Sequence, residues 1–146
     1  MAVSNFLTKL EKANILQAIK VAEKETSGEI RVHLESRCKN PDTLQRAREV
    51  FDSMKMHHTH LHNGTLIYLA VKDRKFAIYG DSGINEIVPD NFWDDVKQNM
   101  EQHFKKGNFA DGIIHGIGEV GQKLKEYFPY RKDDTNELPD DISFDE

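Results

Sequence analysis

The chain reads as an α/β protein, a three-layer αβα sandwich in which a small mixed sheet is flanked by about four helices. Three observations predict it. Segments of helical and strand periodicity alternate through residues 1–130. The run Gly64-Thr65-Leu66-Ile67-Tyr68-Leu69-Ala70-Val71 is continuously apolar, as a strand buried on both faces must be. A helix-length segment separates that run from an earlier strand, so the right-handed crossover makes the two strands parallel neighbours.

Each element has its own signal. Thr8 followed by Glu11 predicts a capping box, and Leu10, Ala13, Ile15, Leu16, Ile19, Val21 and Ala22 give a first helix with a wide apolar face to about Lys24. Gly28 suits the exit, and Glu29 to Glu35 alternates polar with apolar residues, the period of a strand packed on one face. Asn40-Pro41-Asp42 combines a capping side chain with a proline at the first helical position, opening a second helix over roughly 41–56. After the buried strand, Lys72-Asp73-Arg74-Lys75 is a tight turn that sends Phe76-Ala77-Ile78-Tyr79 back as an antiparallel hairpin. Pro89-Asp90 opens a third helix carrying Trp93, Val96, Met100 and Phe104, closed by Lys105-Lys106-Gly107. Asn108 caps a fourth, whose apolar stripe is Ile113, Ile117, Val120, Leu124 and Phe128. Its glycines Gly112, Gly116, Gly118 and Gly121 each cost about 1 kcal/mol against alanine, which tight packing would explain.

Charge divides the chain. Residues 131–146 hold seven acids and two bases, a local −5 that equals the net charge, and they are expected to form a disordered acidic tail behind a single domain over 1–130. The domain itself carries 18 bases and 18 acids, so no strong field steers it towards nucleic acid or an anionic membrane, and neither is expected as a partner. The chain lacks the long apolar run of a signal peptide or a membrane span, and its lone Cys38 excludes an internal disulfide framework; a cytoplasmic location is expected.

The topology brings distant residues to one sheet edge. If the first two strands are parallel and the third runs back, Ser27-Gly28-Glu29 approaches Gly80-Asp81-Ser82-Gly83, and the start of the third helix, with Asp94 and Asp95, approaches both. Two readings stand. In one, Glu29, Asp81, Ser82, Asp94 and Asp95 supply oxygens to a hard divalent cation, calcium or magnesium. In the other, Asp81 caps a turn while Glu29, Asp94 and Asp95 are solvated, the last two favoured by a helix N-terminus. The loop does not have EF-hand spacing. His57, His58, His60 and His62 fit neither a helical metal pair nor a zinc finger and read as a solvated loop. The sequence holds no GxxxxGK[ST] loop, GxSxG elbow or HExxH motif.

The blocks Ser27-Gly28-Glu29-Ile30-Arg31-Val32, Asn63 through Ile84, Phe92-Trp93 and Phe104 through Ile113 together resemble the TPM domain family, over roughly residues 5–128. The resemblance implies an αβα sandwich. The family includes a thylakoid-lumen acid phosphatase linked to photosystem II repair, membrane-anchored regulators of a receptor channel, and members that bind divalent ions, calcium especially; this chain resembles the short bacterial members. Two alternatives to cation binding follow. One is a weak metal-dependent acid phosphatase, with Asp81 as ligand and Arg74 or Lys75 as distant counter-charges. The other is a protein-interaction module whose acidic tail meets an unidentified protein partner.

Overall fold

The computed structural model describes residues 2–59, 61–130 and 142–145. A 3-10 turn at Val3–Asn5 leads to helix α1 (Lys9–Glu23). The predicted capping box is present: the Thr8 hydroxyl accepts from the Glu11 amide at 3.1 Å, and the Glu11 carboxylate accepts from the Thr8 amide at 2.8 Å. The buried stripe is narrower than the sequence suggests. Ile15, Ile19 and Ala22 face inward, whereas Leu10 and Val21 are exposed.

Strand β1 (Glu29–Glu35) precedes helix α2 (Thr43–Ser53), whose cap is Asp42, accepting from the Gln45 amide at 3.2 Å. Asn40 does a different job from the one expected: its Oδ1 accepts from the Asp42 amide at 2.9 Å, a turn that sets up the cap. Strands β2 (Gly64–Ala70) and β3 (Lys75–Gly80) form the hairpin, turned by Arg74 at φ 54°. A short helix α3 (Ser82–Asn85) follows at once, then α4 (Asp94–Lys105) and α5 (Phe109–Tyr127). Pro89 starts a turn instead of a helix, with the Phe92 amide donating to its carbonyl, and α4 begins five residues later.

The expected disorder does not extend to the chain's last stretch. Ile142–Asp145 forms strand β4, parallel to β1, pairing Val32 with Ile142 and Glu35 with Asp145. The rest of the acidic tail, 131–141 and Glu146, lies outside the described residues. The sheet order is β3-β2-β1-β4, with β1 and β2 parallel and β2 and β3 antiparallel, as the crossover and hairpin predict.

Helices α1, α4 and α5 cover one face of the sheet and α2 the other, giving the three layers. Ile30, Val32, Leu34, Ile67, Leu69 and Ile78 meet the three-helix layer; Leu66, Tyr68, Ala70 and Ala77 meet Ala47, Val50 and Phe51. The α5 glycines are accounted for by space. A Cβ at Gly112 would fall 2.6 Å from the Phe104 ring, at Gly116 2.5 Å from Met100 Sδ, and at Gly121 2.9 Å from Ala22 Cβ, so α4 and α1 approach α5 too closely for alanine without repacking. Gly118 faces open space and does not fit that explanation.

Candidate functional site

Register decides which of the predicted ligands meet. Glu29 pairs with Gly64, Thr65 pairs with Gly80, and the Asp81 amide donates to the Gly64 carbonyl at 3.0 Å, so Glu29 and Asp81 flank Gly64 on one sheet edge as the topology required. Both are buried, at 5% and 6% relative exposure. Asp81 is the N-cap of α3: its Oδ1 accepts from the Ser82 amide at 2.7 Å. Among the described residues its Oδ2 is buried without a hydrogen-bond partner, and His62 Nδ1 stands 3.6 Å away. The capping role of the second reading is therefore present, and it occupies only one of the two oxygens.

The loop that delivers Asp81 is held against the preceding segment through Gly83. The Gly83 amide donates to the His62 carbonyl at 2.9 Å, and a Cβ there would lie 2.2 Å from the Leu61 carbonyl oxygen. Asn63 Nδ2 and Thr65 Oγ1, which bracket Gly64, are also buried without hydrogen-bond partners among the described residues. Asp81 and Ser82 line a cleft of about 400 Å³ with Arg48, Asp52, Tyr79 and Glu86. Three carboxylates and one guanidinium make that cleft net acidic.

Asp94 and Asp95 do not join it. They are exposed in the first turn of α4 and line a separate cleft with Pro89, Phe92 and Lys123. The Lys123 ammonium, 3.0 Å from Asp95, lowers that carboxyl below its ordinary range. The cause is strand alternation. Gly80 is backed by Trp93 of the three-helix layer, whereas Asp81, one residue on, opens towards Arg48 and Asp52 of α2. The two acidic groups therefore belong to opposite layers.

The histidines divide too. His57 and His58 pack edge to face at 4.2 Å, His62 turns towards Asp81, and His60 lies outside the described residues.

One constellation was illegible in the sequence. His33 and Glu35 of β1 and Asp145 of β4 place ligand-capable atoms within 4.8 Å of one another. Glu35 is fully buried and accepts two bonds from Arg46, Nη2 to Oε1 at 2.6 Å and Nε to Oε2 at 3.0 Å, and a third from the Tyr68 hydroxyl. Asp145 accepts from Lys39 at 3.0 Å, and His33 Nδ1 shares a 2.7 Å bond with Ser143 Oγ. The Arg46 bonds fill both Glu35 oxygens, so the cluster is built as a latch holding β4 to β1. The alternation of His33 and Glu35 in β1 was visible, but Asp145 joins them only once β4 docks.

The latch should respond to acid. Burial raises the Glu35 carboxyl, but hydrogen bonds from Arg46 and Tyr68 outweigh it and the net position is lowered; the Lys39 hydrogen bond lowers Asp145. Burial lowers His33, against the pull of Glu35 and Asp145 and with the push of Arg46 and Arg31. A depressed histidine resists protonation when folded and accepts it when unfolded, so its share of stability falls as pH drops below its ordinary 6.5. Depressed carboxylates lose theirs only lower, as pH falls from their ordinary values through the folded ones. Amide hydrogen exchange at Ile142–Asp145 should therefore accelerate between about pH 7 and pH 5.5 beyond the intrinsic pH trend. His33→Gln should abolish that step while leaving a second one in the carboxylate range.

Among the described residues no helix is long and apolar enough to cross a membrane. The sequence profile of the TPM domain matches residues 2–123. The fold matches the NMR structure of the BA42 protein from the psychrophilic bacterium Bizionia argentinensis with a TM-score of 0.89 and 51% identity, covering 95% of each chain. It also matches the N-terminal domain of the cg2496 protein from Corynebacterium glutamicum (TM-score 0.64, 17% identity, 81% of this chain and 74% of that one) and the N-terminal domain of a P. gingivalis protein (TM-score 0.69, 17% identity, 86% and 82%); these two show the fold alone. No curated protein matches the chain.

Proposed function

The chain belongs to the TPM domain family, and from that premise we propose that it binds a divalent cation, calcium in preference to magnesium, at the sheet edge built around Asp81. The observation that carries the proposal is the Oδ2 of Asp81, buried and without a hydrogen-bond partner among the described residues. A carboxylate oxygen taken out of water without a hydrogen-bond donor is costly, and a hard cation in the adjoining acidic cleft would add to the contact that the exposed His62 imidazole makes at 3.6 Å. Ser82 contributes a hydroxyl on the same loop, and Glu29 a second buried carboxylate across Gly64. Calcium accepts six to eight oxygens in loose geometry and completes its shell with water, which suits an open cleft with few preset ligands better than magnesium's strict octahedron. Binding of this kind needs no nucleophile or general acid.

Amide NMR spectra recorded during calcium titration test the idea. Shifts are expected over residues 61–64 and 80–86, with weaker ones for magnesium, and Asp81→Asn should remove them. A titration that moves only His57 and His58, or nothing, would refute the site.

A further inference from the structure

At the other end of the sheet from Asp81, around the β2–β3 turn, lies a groove of about 950 Å³. Its floor is Leu69, Phe76, Phe104 and Phe109, the three rings only partly covered and packed on one another, Phe76 edge to face with Phe104 at 5.1 Å and Phe104 stacked on Phe109 at 5.6 Å. Its walls carry Arg74 and Lys75 from the hairpin, and Lys105 and Lys106 from the end of α4. Glu101, paired with Lys105 at 3.1 Å, is the one acid among the described residues that line it. The described lining therefore holds an excess of three positive charges on a chain whose net charge is −5.

We propose that this groove binds an acidic peptide segment of a partner protein, one that places a large apolar side chain on the phenylalanine floor and carboxylates against the two cationic walls. Each cation has a local use: Lys105 and Lys106 suit the negative end of α4, and Lys75 guards an edge strand. Local use does not explain why two pairs, supplied by segments about thirty residues apart, converge over an aromatic surface that neither covers. None of the four cations stands over a phenylalanine ring in a cation–π contact among the described residues, and Arg74, Lys75 and Lys106 form no salt bridge there. Charge on both walls calls for several anionic groups spread along a ligand, which a single-headed amphiphile lacks and an acidic peptide has. Phe76 also lies on β3, one of the two outer strands of the described sheet, where an extended backbone can pair.

The test is an amide NMR titration of the full chain with a short synthetic peptide in which Asp and Glu alternate with Phe and Leu. Shifts are expected at residues 69–76 and 104–109, weakening as salt is raised. The double variant Lys75→Glu/Lys106→Glu, both exposed positions, should bind about tenfold or more weakly while keeping the parent spectrum elsewhere. Equal binding by that variant, shifts confined to residues outside the groove, or occupation of the groove by dodecanoate but not by the peptide would overturn the proposal. The calcium experiment reads a different edge of the sheet, so either result stands without the other.

Discussion

Replacing Arg46 with alanine should lower the stability of the domain by about 3–5 kcal/mol, the range for stripping one partner from a buried ion pair. The Glu35 carboxylate is fully buried, and Arg46, itself only 15% exposed, supplies two of its hydrogen bonds. After truncation Glu35 retains the Tyr68 hydroxyl and, at 3.5 Å, a half-exposed Lys39 ammonium, which solvent screens. A charge left in that position has too little compensation to remain buried, and β4, tied to the same network through Asp145, should loosen with it. The midpoint of urea unfolding measures the loss, and exchange at Ile142–Asp145 locates it. The companion variant Glu35→Leu/Arg46→Met/Tyr68→Phe should recover most of the stability, because it removes both charges and the hydroxyl that would otherwise lose its acceptor. A cost below about 1 kcal/mol for Arg46→Ala would mean that water reaches Glu35 and that the network is not dry.

Gly83→Ala should cost about 2–3 kcal/mol, for a different reason. The new Cβ would fall 2.2 Å from the Leu61 carbonyl oxygen and 2.6 Å from that of His62. Both obstacles are backbone, so no side-chain rotation relieves the clash. At Gly116 the obstacle is the end of a methionine side chain, and alanine there should cost distinctly less. Relief at Gly83 requires the 61–62 segment to part from α3, breaking the bond from the Gly83 amide to the His62 carbonyl and shifting the cap that holds Asp81. The variant should therefore show two linked effects: lowered thermal stability, and chemical-shift changes concentrated at residues 59–63 and 80–86. If calcium binds at Asp81, its affinity should fall as well.

Much of this was readable from the chain. Thr8 and Glu11 marked the start of α1, the Gly64–Val71 run marked the central strand, and Gly80-Asp81-Ser82-Gly83 was placed on the same edge as Glu29 by connectivity alone. Such features depend on neighbours within a few residues, or on the hand of one crossover, and both are written locally. The short helix α3 was missed because four residues carry too little periodicity to register. Asp81 thus changed from a loop residue to a helix cap, with one oxygen committed and the other, among the described residues, without a hydrogen bond.

What the sequence determined by itself is the order of the longer elements from α1 to α5, the pairing of β1, β2 and β3, and the placement of Glu29 and Asp81 at one sheet edge, because alternation and crossover handedness leave few other arrangements. Tertiary structure alone decided the rest. Asp94 and Asp95 fall in the opposite layer from Asp81, since one residue of strand register reverses the face. Asp145 reaches Glu35 and Arg46 because an acidic segment, disordered by composition, gains a parallel strand's hydrogen bonds and the burial of Ile142 against β1. Composition measures what a segment can bury in itself; it carries no record of the edge that the remainder of the fold offers it.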